Sequence, residues 1–317
     1  MKDSKIFFAT DIHGSDRCLR KFVNAGKFYG VDAVVMGGDI TGKMIVPVVA
    51  EAGGMYSAHL FGRRRTVDVD GLAELNKFIA DAGFYAHSMT QDEIDAFRGD
   101  PAAVDELFRK LMNETMSRWI DLVEDRLAGT GIECIFAPGN DDPFFIDDLL
   151  SSSSTVINPD SKVIELPGGY SMISVGFSNR TPWASPRELD EADLLAMIET
   201  EVAKLADPGR AIFNLHVPPK DTPIDQAMAL TDDFRPVMSG GSPVITGVGS
   251  SAVRDAIAKY QPMLSLHGHI HESRGEARIG RTVALNPGSE YSEGVLRGVI
   301  VSLSAKKGLR GYQLVSG

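Results

Sequence analysis

The chain has little cysteine and no long apolar run. Cys18 and Cys134 are its two cysteines among 317 residues, too few for a disulfide scaffold or a thiolate zinc site. No apolar segment approaches the roughly 18 residues that a membrane-spanning helix needs. The apolar run at 6–9 is also too short for the core of a signal peptide. We therefore expect a cytoplasmic protein with no membrane partner, stabilised by a buried core.

Basic residues are also in short supply. Lys and Arg number 32 against 43 Asp and Glu, which gives a formal net charge of -11. Proteins that bind nucleic acid gain much of their affinity from basic groups, so this charge argues against a nucleic-acid partner. Hydrophobic residues make up 43% of the chain and charged residues 24%, a composition that excludes intrinsic disorder and fibrous architectures.

In the first half of the chain, apolar segments of strand length alternate with amphipathic segments of helix length. We predict strands over 5–10, 31–36 and 134–137, and helices over 16–28 and 101–127. This alternation is typical of parallel strands joined by crossover helices. Functional residues of such sheets lie at the carboxyl ends of the strands.

The second half predicts a mixed set of elements. We expect a hairpin at 162–166 and 171–175, helices at 187–206 and 253–259, and strands at 211–215, 263–266, 278–285, 294–303 and 308–315. The fold class is therefore α/β. We predict a single domain over 1–317, built as a two-sheet sandwich with helices outside.

Two segments look like insertions into this sandwich. Residues 44–99 contain no clear strand, and we expect a mostly helical or irregular insertion that caps the site. They also carry Arg63, Arg64 and Arg65, which either clamp a phosphate group or lie in a solvated loop. Residues 217–250 are rich in Gly, Pro, Asp and Thr and predict a long loop, which is uncommon unless it is functional.

Residue types suited to metal coordination follow several predicted strands. They occur in five motifs: Asp11-Ile-His13, Gly38-Asp39, Gly139-Asn140-Asp141, His216, and His267-Gly-His269-Ile-His271. Most of these are common by chance, but three histidines at alternate positions are rare. At one sheet edge, two Asp, one Asn and four His would suit Mn, Fe, Zn or Co. Such a set exceeds one zinc site of about four ligands and is enough for two ions that share a carboxylate.

In this order, the motifs resemble those of the calcineurin-like metallophosphoesterase family. The resemblance extends from Asp11 to Ser289 and includes Asn286-Pro-Gly-Ser289, while 178–182 and 268–275 are similar to the Icc-related subgroup. It implies an αββα sandwich and a hydrolase that cleaves a small phosphorylated substrate, with a phosphodiester favoured over a monoester.

The resemblance also implies which residues hold two divalent ions. One ion would be held by Asp11, His13, Asp39 and His271, and the other by Asp39, Asn140, His216 and His269. Asp39 would bridge the two ions, and a hydroxide between them would attack phosphorus in line.

One position departs from the family pattern. The family commonly has Gly-Asn-His, with a histidine that assists the leaving group, whereas this chain has Asp141 there. Asp141 can assist only in its protonated form. His267, otherwise a supporting residue, and His59 or His87 in the insertion are alternative proton donors.

The sequence allows two roles for each of four further residues. Asn179 and Arg180 either contact the substrate phosphate or form a structural turn. Asp142 either orients a ligand or caps a helix before Pro143. Trp183 either stacks on a base or packs.

Two alternatives to a phosphoesterase also stay open, a non-catalytic scaffold of the same fold and a nuclease with the same dinuclear site. Usable residues at all the ligand positions weigh against the scaffold, and the acidic charge weighs against the nuclease.

Overall fold

Seven α-helices form in the part of the chain that the structure describes. The structure is a computed structural model that describes residues 3–231 and 233–317. The helices are α1 (Asp16–Tyr29), α2 (Leu72–Asp81), α3 (Gln91–Arg98), α4 (Pro101–Leu127), α5 (Ile146–Ser152), α6 (Glu191–Val202) and α7 (Ser251–Tyr260).

The strands are mostly short. They are β1 (Ser4–Ala9), β2 (Ala33–Met36), β3 (Ile45–Glu51), β4 (Met55–Leu60), β5 (Arg63–Val67), β6 (Tyr85–Met89), β7 (Glu133–Phe136), β8 (Val156–Ile157), β9 (Ile164–Leu166), β10 (Tyr170–Val175), β11 (Ser178–Asn179), β12 (Glu188–Leu189), β13 (Ile212–Leu215), β14 (Gln226–Met228), β15 (Met238–Ser239), β16 (Ser242–Pro243), β17 (Ile245–Gly247), β18 (Leu264–Leu266), β19 (Gly275–Ile279), β20 (Thr282–Asn286), β21 (Arg297–Ser304) and β22 (Gly308–Ser316).

Two six-stranded sheets form the centre of the molecule. The first has the order β22-β21-β1-β2-β7-β8 and the second the order β19-β20-β18-β13-β10-β9. The strands β1, β2, β7 and β8 are parallel, as are β10, β13, β18 and β20. The remaining strands of each sheet pair antiparallel at its edges. The parallel strands predicted for the first half of the chain are confirmed, and the second sheet also has a parallel core.

Alternation along β1 shows how the layers are built. Phe8 packs in the cluster between the two sheets with Leu264 and Leu285. Its neighbour Phe7 points to the other face and packs with Phe22 of α1, in a cluster that also includes residues of α4 and α5. On the outer face of the second sheet, α6 and α7 cover β10 and β13. The layers are therefore helix, sheet, sheet, helix, and the predicted fold class is confirmed.

Capping residues stand at the start of the predicted helices α1 and α4. The Ser15 hydroxyl accepts a hydrogen bond from Cys18 N at the start of α1, and Asp100 caps α4 ahead of Pro101. The helix predicted at 187–206 is shorter than expected. Its first residues instead form β12, which pairs with β11, so that α6 begins at Glu191.

The expectation for residues 44–99 is wrong in its secondary structure. The segment contains a four-stranded sheet of order β5-β4-β3-β6, with α2 packed on it. The strand β3 contains Pro47, a residue that is disfavoured inside a paired strand. However, β4 pairs with β3 only from Val49 onward, so Pro47 lies where that edge of β3 is unpaired.

Residues 217–250 are not a featureless loop. Within them β14 pairs with β17 and β15 pairs with β16, which makes an antiparallel arm over residues 226–249. The buried Asp225 carboxylate closes the base of this arm, because it accepts hydrogen bonds from the backbone N–H groups of Asp221, Thr222 and Gly249.

None of the helices among the described residues is both long and apolar enough to cross a membrane.

We expect Phe22→Ala to lower the free energy of unfolding by roughly 3–5 kcal/mol, because it removes a buried ring between two sheet residues. The Phe22 ring is fully buried, with centroids 6.1 Å from Phe7 and 5.7 Å from Phe136. Urea unfolding measures the change. Phe28→Ala is the matched control on the same helix, since Phe28 is 80% exposed; an equal loss in both variants would contradict the packing argument.

Candidate metal centre

The predicted ligands of the first sheet follow the carboxyl ends of parallel strands. Asp11 and His13 come after β1, Asp39 after β2 and Asn140 after β7, and all four are buried. Because these strands are parallel neighbours, the three loops meet at one edge of the sheet.

The second sheet supplies histidines to the same place. His216 follows β13, and the segment 267–271 follows β18. Gly268 N–H donates to the His216 carbonyl at 2.9 Å and joins these two loops. His269 N–H donates to the Asp11 carboxylate at 3.1 Å, which joins the two sheets.

Backbone strain is concentrated in these loops. Asp11, His13, Asp39 and His269 have φ angles of 55°, 38°, 51° and 65°, in the left-handed region that non-glycine residues seldom adopt. Such strain persists only where the surrounding structure enforces it, and it is typical of functional sites.

Asp11, His13 and His271 form the first cluster of ligand-type atoms. His271 Nε2 lies 3.4 Å from Asp11 Oδ1 and 3.0 Å from His13 Nε2. One ligand atom from each residue lies within 4.8 Å of the other two. Two imidazoles and a carboxylate therefore converge on one point.

Asp39, His216 and His269 form the second cluster, within the same limit of 4.8 Å. His216 Nε2 lies 3.4 Å from Asp39 Oδ1. Asn140 Oδ1 lies 2.7 Å from His269 Nδ1 and adds an amide oxygen beside this cluster.

Asp39 lies between the two clusters. Its Oδ1 faces His216, while its Oδ2 lies 3.6 Å from His13 Nε2. One oxygen towards each cluster is what a shared carboxylate requires. All the residues predicted as metal ligands thus lie close together, and a third cluster of ligand-type atoms joins His13 and Asp39 to Asp141.

The electrostatics of the clusters suit divalent cations. Burial disfavours a charged His216, but Asp39 and Asp11 raise its pKa to about 9. Burial likewise disfavours a charged Asp39, but His216 and His13 hold the pKa of that carboxyl well below its usual value. His216 Nε2 is buried and has no hydrogen-bond partner among the residues described. A cation here would take the place of the proton as partner of the carboxylates.

Comparison of the amino-acid sequence with known proteins gives a partial match. No family model matches the chain. The chain is 30% identical over 159 residues to the uncharacterized protein MJ1162 of Methanocaldococcus jannaschii, in an alignment that covers 49% of this chain and 64% of that protein, less than two thirds of its length.

Two solved structures have the same architecture throughout. The structure of TT1561 from Thermus thermophilus has a TM-score of 0.53 at 13% identity and covers 100% of this chain and 99% of its own. A second structure has a TM-score of 0.53 at 15% identity and covers 99% of this chain and 98% of its own. At these identities the likeness concerns the fold alone.

The chain has a two-sheet sandwich fold that these solved structures share, and its membership of the metallophosphoesterase family stays a prediction. Its buried aspartate and histidine clusters lie where the sequence motifs predict them and are consistent with a metal site. The Icc-related subgroup stays a prediction.

Asp142 holds the loops that carry Asp39 and Asn140 together. Its buried carboxylate accepts hydrogen bonds from Ile40 N and Thr41 N, from Thr41 Oγ1 at 2.7 Å and from Gly139 N at 2.8 Å. It therefore fixes the backbone beside both ligands. Phe145, not Asp142, precedes the first residue of α5, so the helix-capping interpretation of Asp142 is wrong.

Asp141 is surrounded by hydrogen-bond donors. Lys43 Nζ and Ser185 Oγ each lie 2.5 Å from its carboxylate, and Asn140 Nδ2 lies 3.0 Å away. The ammonium and the amide nitrogen can only donate, so neither accepts a proton from Asp141. The contacts favour Asp141 as the partner of Lys43 over a role as proton donor.

His267 lies behind the clusters. Its Nδ1 lies 2.7 Å from the Leu215 carbonyl and 3.1 Å from that of Val217, the two residues that flank His216. The ring is fully buried, and burial lowers its pKa to about 4. His267 contributes to none of the clusters of ligand-type atoms found among the described residues. These contacts favour a role in positioning His216, and a catalytic role stays a prediction.

The clusters open into a large cleft of about 1510 Å³. Asp39, Asn140, His269 and His271 form its floor. Its walls are α4, the segment 179–186 and the arm over 226–249. None of the residues 44–99, all of which the structure describes, lines this cleft. The loop between α2 and β6 packs against the backbone of His13 instead. Gly83 in this loop is so close to the His13 carbonyl that a side chain would collide with it.

The remaining predicted residues fall in different places. Asn179, Arg180 and Trp183 line the cleft, although Arg180 is paired with Asp190 at 3.0 Å. Arg63, Arg64 and Arg65 lie on the exposed strand β5, where Arg64 pairs with Glu51 and Arg65 stacks on Phe78. The contacts therefore do not support a phosphate clamp at 63–65. His59 and His87 lie on β4 and β6, away from the cleft lining.

Sequence reasoning missed Lys43, Ser185, Arg187 and Tyr291. Tyr291 packs its ring 4.8 Å from that of His13. The fully buried Arg187 donates to the Asp142 carbonyl at 2.8 Å and so holds the loop that carries Asn140. Of these four residues, only Lys43 could have been found from the sequence, because it is a cation four residues after Asp39. Ser185, Arg187 and Tyr291 lie in segments with no motif of their own.

We expect Asp142→Asn to weaken Mn²⁺ binding by roughly 10- to 100-fold, since an amide cannot accept all the hydrogen bonds that fix the Asp39 and Asn140 loops. Isothermal titration calorimetry on the metal-stripped protein measures the change. Asp148→Asn, an exposed position on α5, is the control; unchanged Mn²⁺ affinity in Asp142→Asn would show that these loops need no such support.

Proposed function

We propose that this chain is a metal-dependent phosphoesterase that hydrolyses phosphodiesters of small organic molecules. The observation that carries the proposal is Asp39, whose two carboxylate oxygens face two separate groups of buried ligands. Asp11, His13, Asp39 and His271 would hold one divalent ion, and Asp39, Asn140, His216 and His269 the other. Such ions, when bound, supply a nucleophilic water at neutral pH and neutralise charge on the phosphoryl group.

Lys43 supplies a fixed positive charge beside the ligands. It lines the cleft, and Asp141 holds its ammonium group in place. Burial disfavours the charged form, but Asp39 and Asp141 raise the pKa of Lys43 above its usual value. A permanently charged ammonium here would bind a phosphoryl oxygen of the substrate and oppose its build-up of negative charge.

The charge of the cleft favours a diester over a monoester. Apart from Asp39, five carboxylates line it against four cations. The carboxylates are Asp105, Glu106, Asp141, Glu191 and Glu272, and the cations are Lys43, Arg109, Arg180 and Lys220. A diester carries one negative charge and a monoester up to two, so away from the metal ligands this lining offers the second charge of a monoester no net compensation. The same lining disfavours a nucleic-acid strand.

The size and surface of the cleft favour a substrate with a bulky apolar group. Its volume of about 1510 Å³ far exceeds that of a phosphate group. Phe108, Met112 and Phe145 line one side, and Trp183 and Met228 line the other. Apolar and aromatic walls are typical of sites for organic ligands.

We expect the purified protein with Mn²⁺ to hydrolyse bis(p-nitrophenyl) phosphate faster than p-nitrophenyl phosphate. We expect Asp39→Ala to abolish both activities, because the substitution removes the carboxylate shared by the two ligand groups. Release of p-nitrophenolate measures the rates, and metal analysis of both proteins accompanies them. Inactivity of the native protein toward both esters while it holds two Mn²⁺ would favour the scaffold alternative.

We expect Lys43→Met to lower kcat/KM for the diester by roughly 10- to 100-fold with no change in metal content, since it removes one charge-assisted hydrogen bond to the phosphoryl group. Steady-state kinetics and metal analysis make the measurement. Lys220→Met, which also removes a cation from the cleft wall, is the control. Equal kinetics in the two variants would contradict a specific role for Lys43.

A further inference from the structure

A second cavity, which we term the basic cavity, lies far from the metal centre. Its volume is about 450 Å³, and six cations line it: Arg210, Arg278, Arg281, Lys306, Lys307 and Arg310. No carboxylate of the described residues is part of this lining. In a chain with a net charge of -11, such a concentration of positive charge in one concave surface is unexpected.

The basic cavity lies at the opposite end of the sheets from the metal ligands. Arg210 and Met263 precede β13 and β18, whereas His216 and His269 follow these same strands. The two members of each pair are six positions apart, which corresponds to roughly 20 Å of extended chain. An anion bound here would not reach the candidate metal centre, so this site is separate from the proposed reaction.

Three of these cations, Arg278, Lys306 and Lys307, are poorly compensated within the protein. Among the ion pairs of the described residues, Arg310 pairs with Asp3 at 3.9 Å. Arg278 and the two lysines have no ion pair in that part of the chain. Two further acids stand near the rim: Glu276 accepts a hydrogen bond from Tyr312, and Asp207 caps the turn at Gly209. Like charges held close together repel one another unless an anion joins them.

One cation is fixed by the backbone. Arg281 donates from Nε to the Gln261 carbonyl at 3.1 Å and from its terminal nitrogen to the Gly209 carbonyl at 3.1 Å. These bonds hold the guanidinium without neutralising it. A guanidinium held in this way loses little freedom when it binds an anion, and arginine is well matched to phosphate oxygens.

We propose that the basic cavity binds a compact, multiply charged phosphate chain, either free or as part of a nucleotide. The three cations without an ion pair, together with Arg281, favour three or more negative charges over a single phosphate. The volume of 450 Å³ accommodates a triphosphate group, and Tyr312 and Leu309 give the lining an apolar part beside the cations. The proposal does not depend on the phosphoesterase activity.

Calorimetric titration of the full chain tests the proposal, in metal-free buffer at low ionic strength. The probes are inorganic tripolyphosphate and ATP. The variant Arg278→Gln/Lys306→Gln/Lys307→Gln removes three cations of the cavity. A second variant, Arg63→Gln/Arg98→Gln/Lys110→Gln, removes three exposed cations elsewhere and has the same net charge. Asp39→Asn tests whether the probes bind at the metal centre, and Lys307→Gln alone serves if the triple variant is unstable.

We expect one molecule of tripolyphosphate per chain, with an affinity that falls as salt is added. The cavity variant should bind roughly tenfold or more weakly, while the charge-matched variant and Asp39→Asn bind like the native protein. Tighter binding of ATP than of tripolyphosphate would identify a nucleotide as the ligand, and equal binding would identify the phosphate chain alone. No binding, an equal loss in the charge-matched variant, or a loss in Asp39→Asn would overturn the proposal.

Discussion

The attraction between two buried carboxylates and the imidazoles around them is the interaction on which the whole site depends. Asp11 and Asp39 are each almost completely buried, and a buried carboxylate is costly unless positive charge compensates it. His216 provides that charge in the metal-free protein, with its pKa raised to about 9. The strained backbone at Asp11, Asp39 and His269 is tolerated because these attractions and the surrounding packing hold it in place.

Residues that never face the cleft preserve this arrangement. Asp142 ties the loop after β2 to the loop after β7, and His267 braces the backbone on both sides of His216. Glycines allow the loops to approach, since a side chain at Gly38 would collide with the His216 ring. The positions of the ligands are therefore set by groups whose own chemistry is structural.

The sequence predicted the sandwich well, and it predicted which side chains lie together at its edge, because both depend on local signals. Apolar strands followed at once by Asp11, Asp39, Asn140 and His216 show where the carboxyl ends of parallel strands lie. It failed where long-range pairing decides the outcome. The strand β3 contains Pro47, and β5 begins with three arginines, so neither has the pattern of a buried strand. The walls of the cleft and the Lys43–Asp141 pair depend on tertiary contacts that no local motif encodes.

The ligands come from both sheets and from both ends of the chain. Asp11 and His271 are separated by 260 positions in sequence, and Asp39 and His216 by 177, yet each pair shares one cluster. An ion held by such a pair would act as a reversible cross-link that closes a very long loop, and it would stabilise the folded sandwich by mass action. In a chain whose two cysteines are buried and unpaired, an ion bound in this way would supply the long-range tether that disulfides give to other proteins.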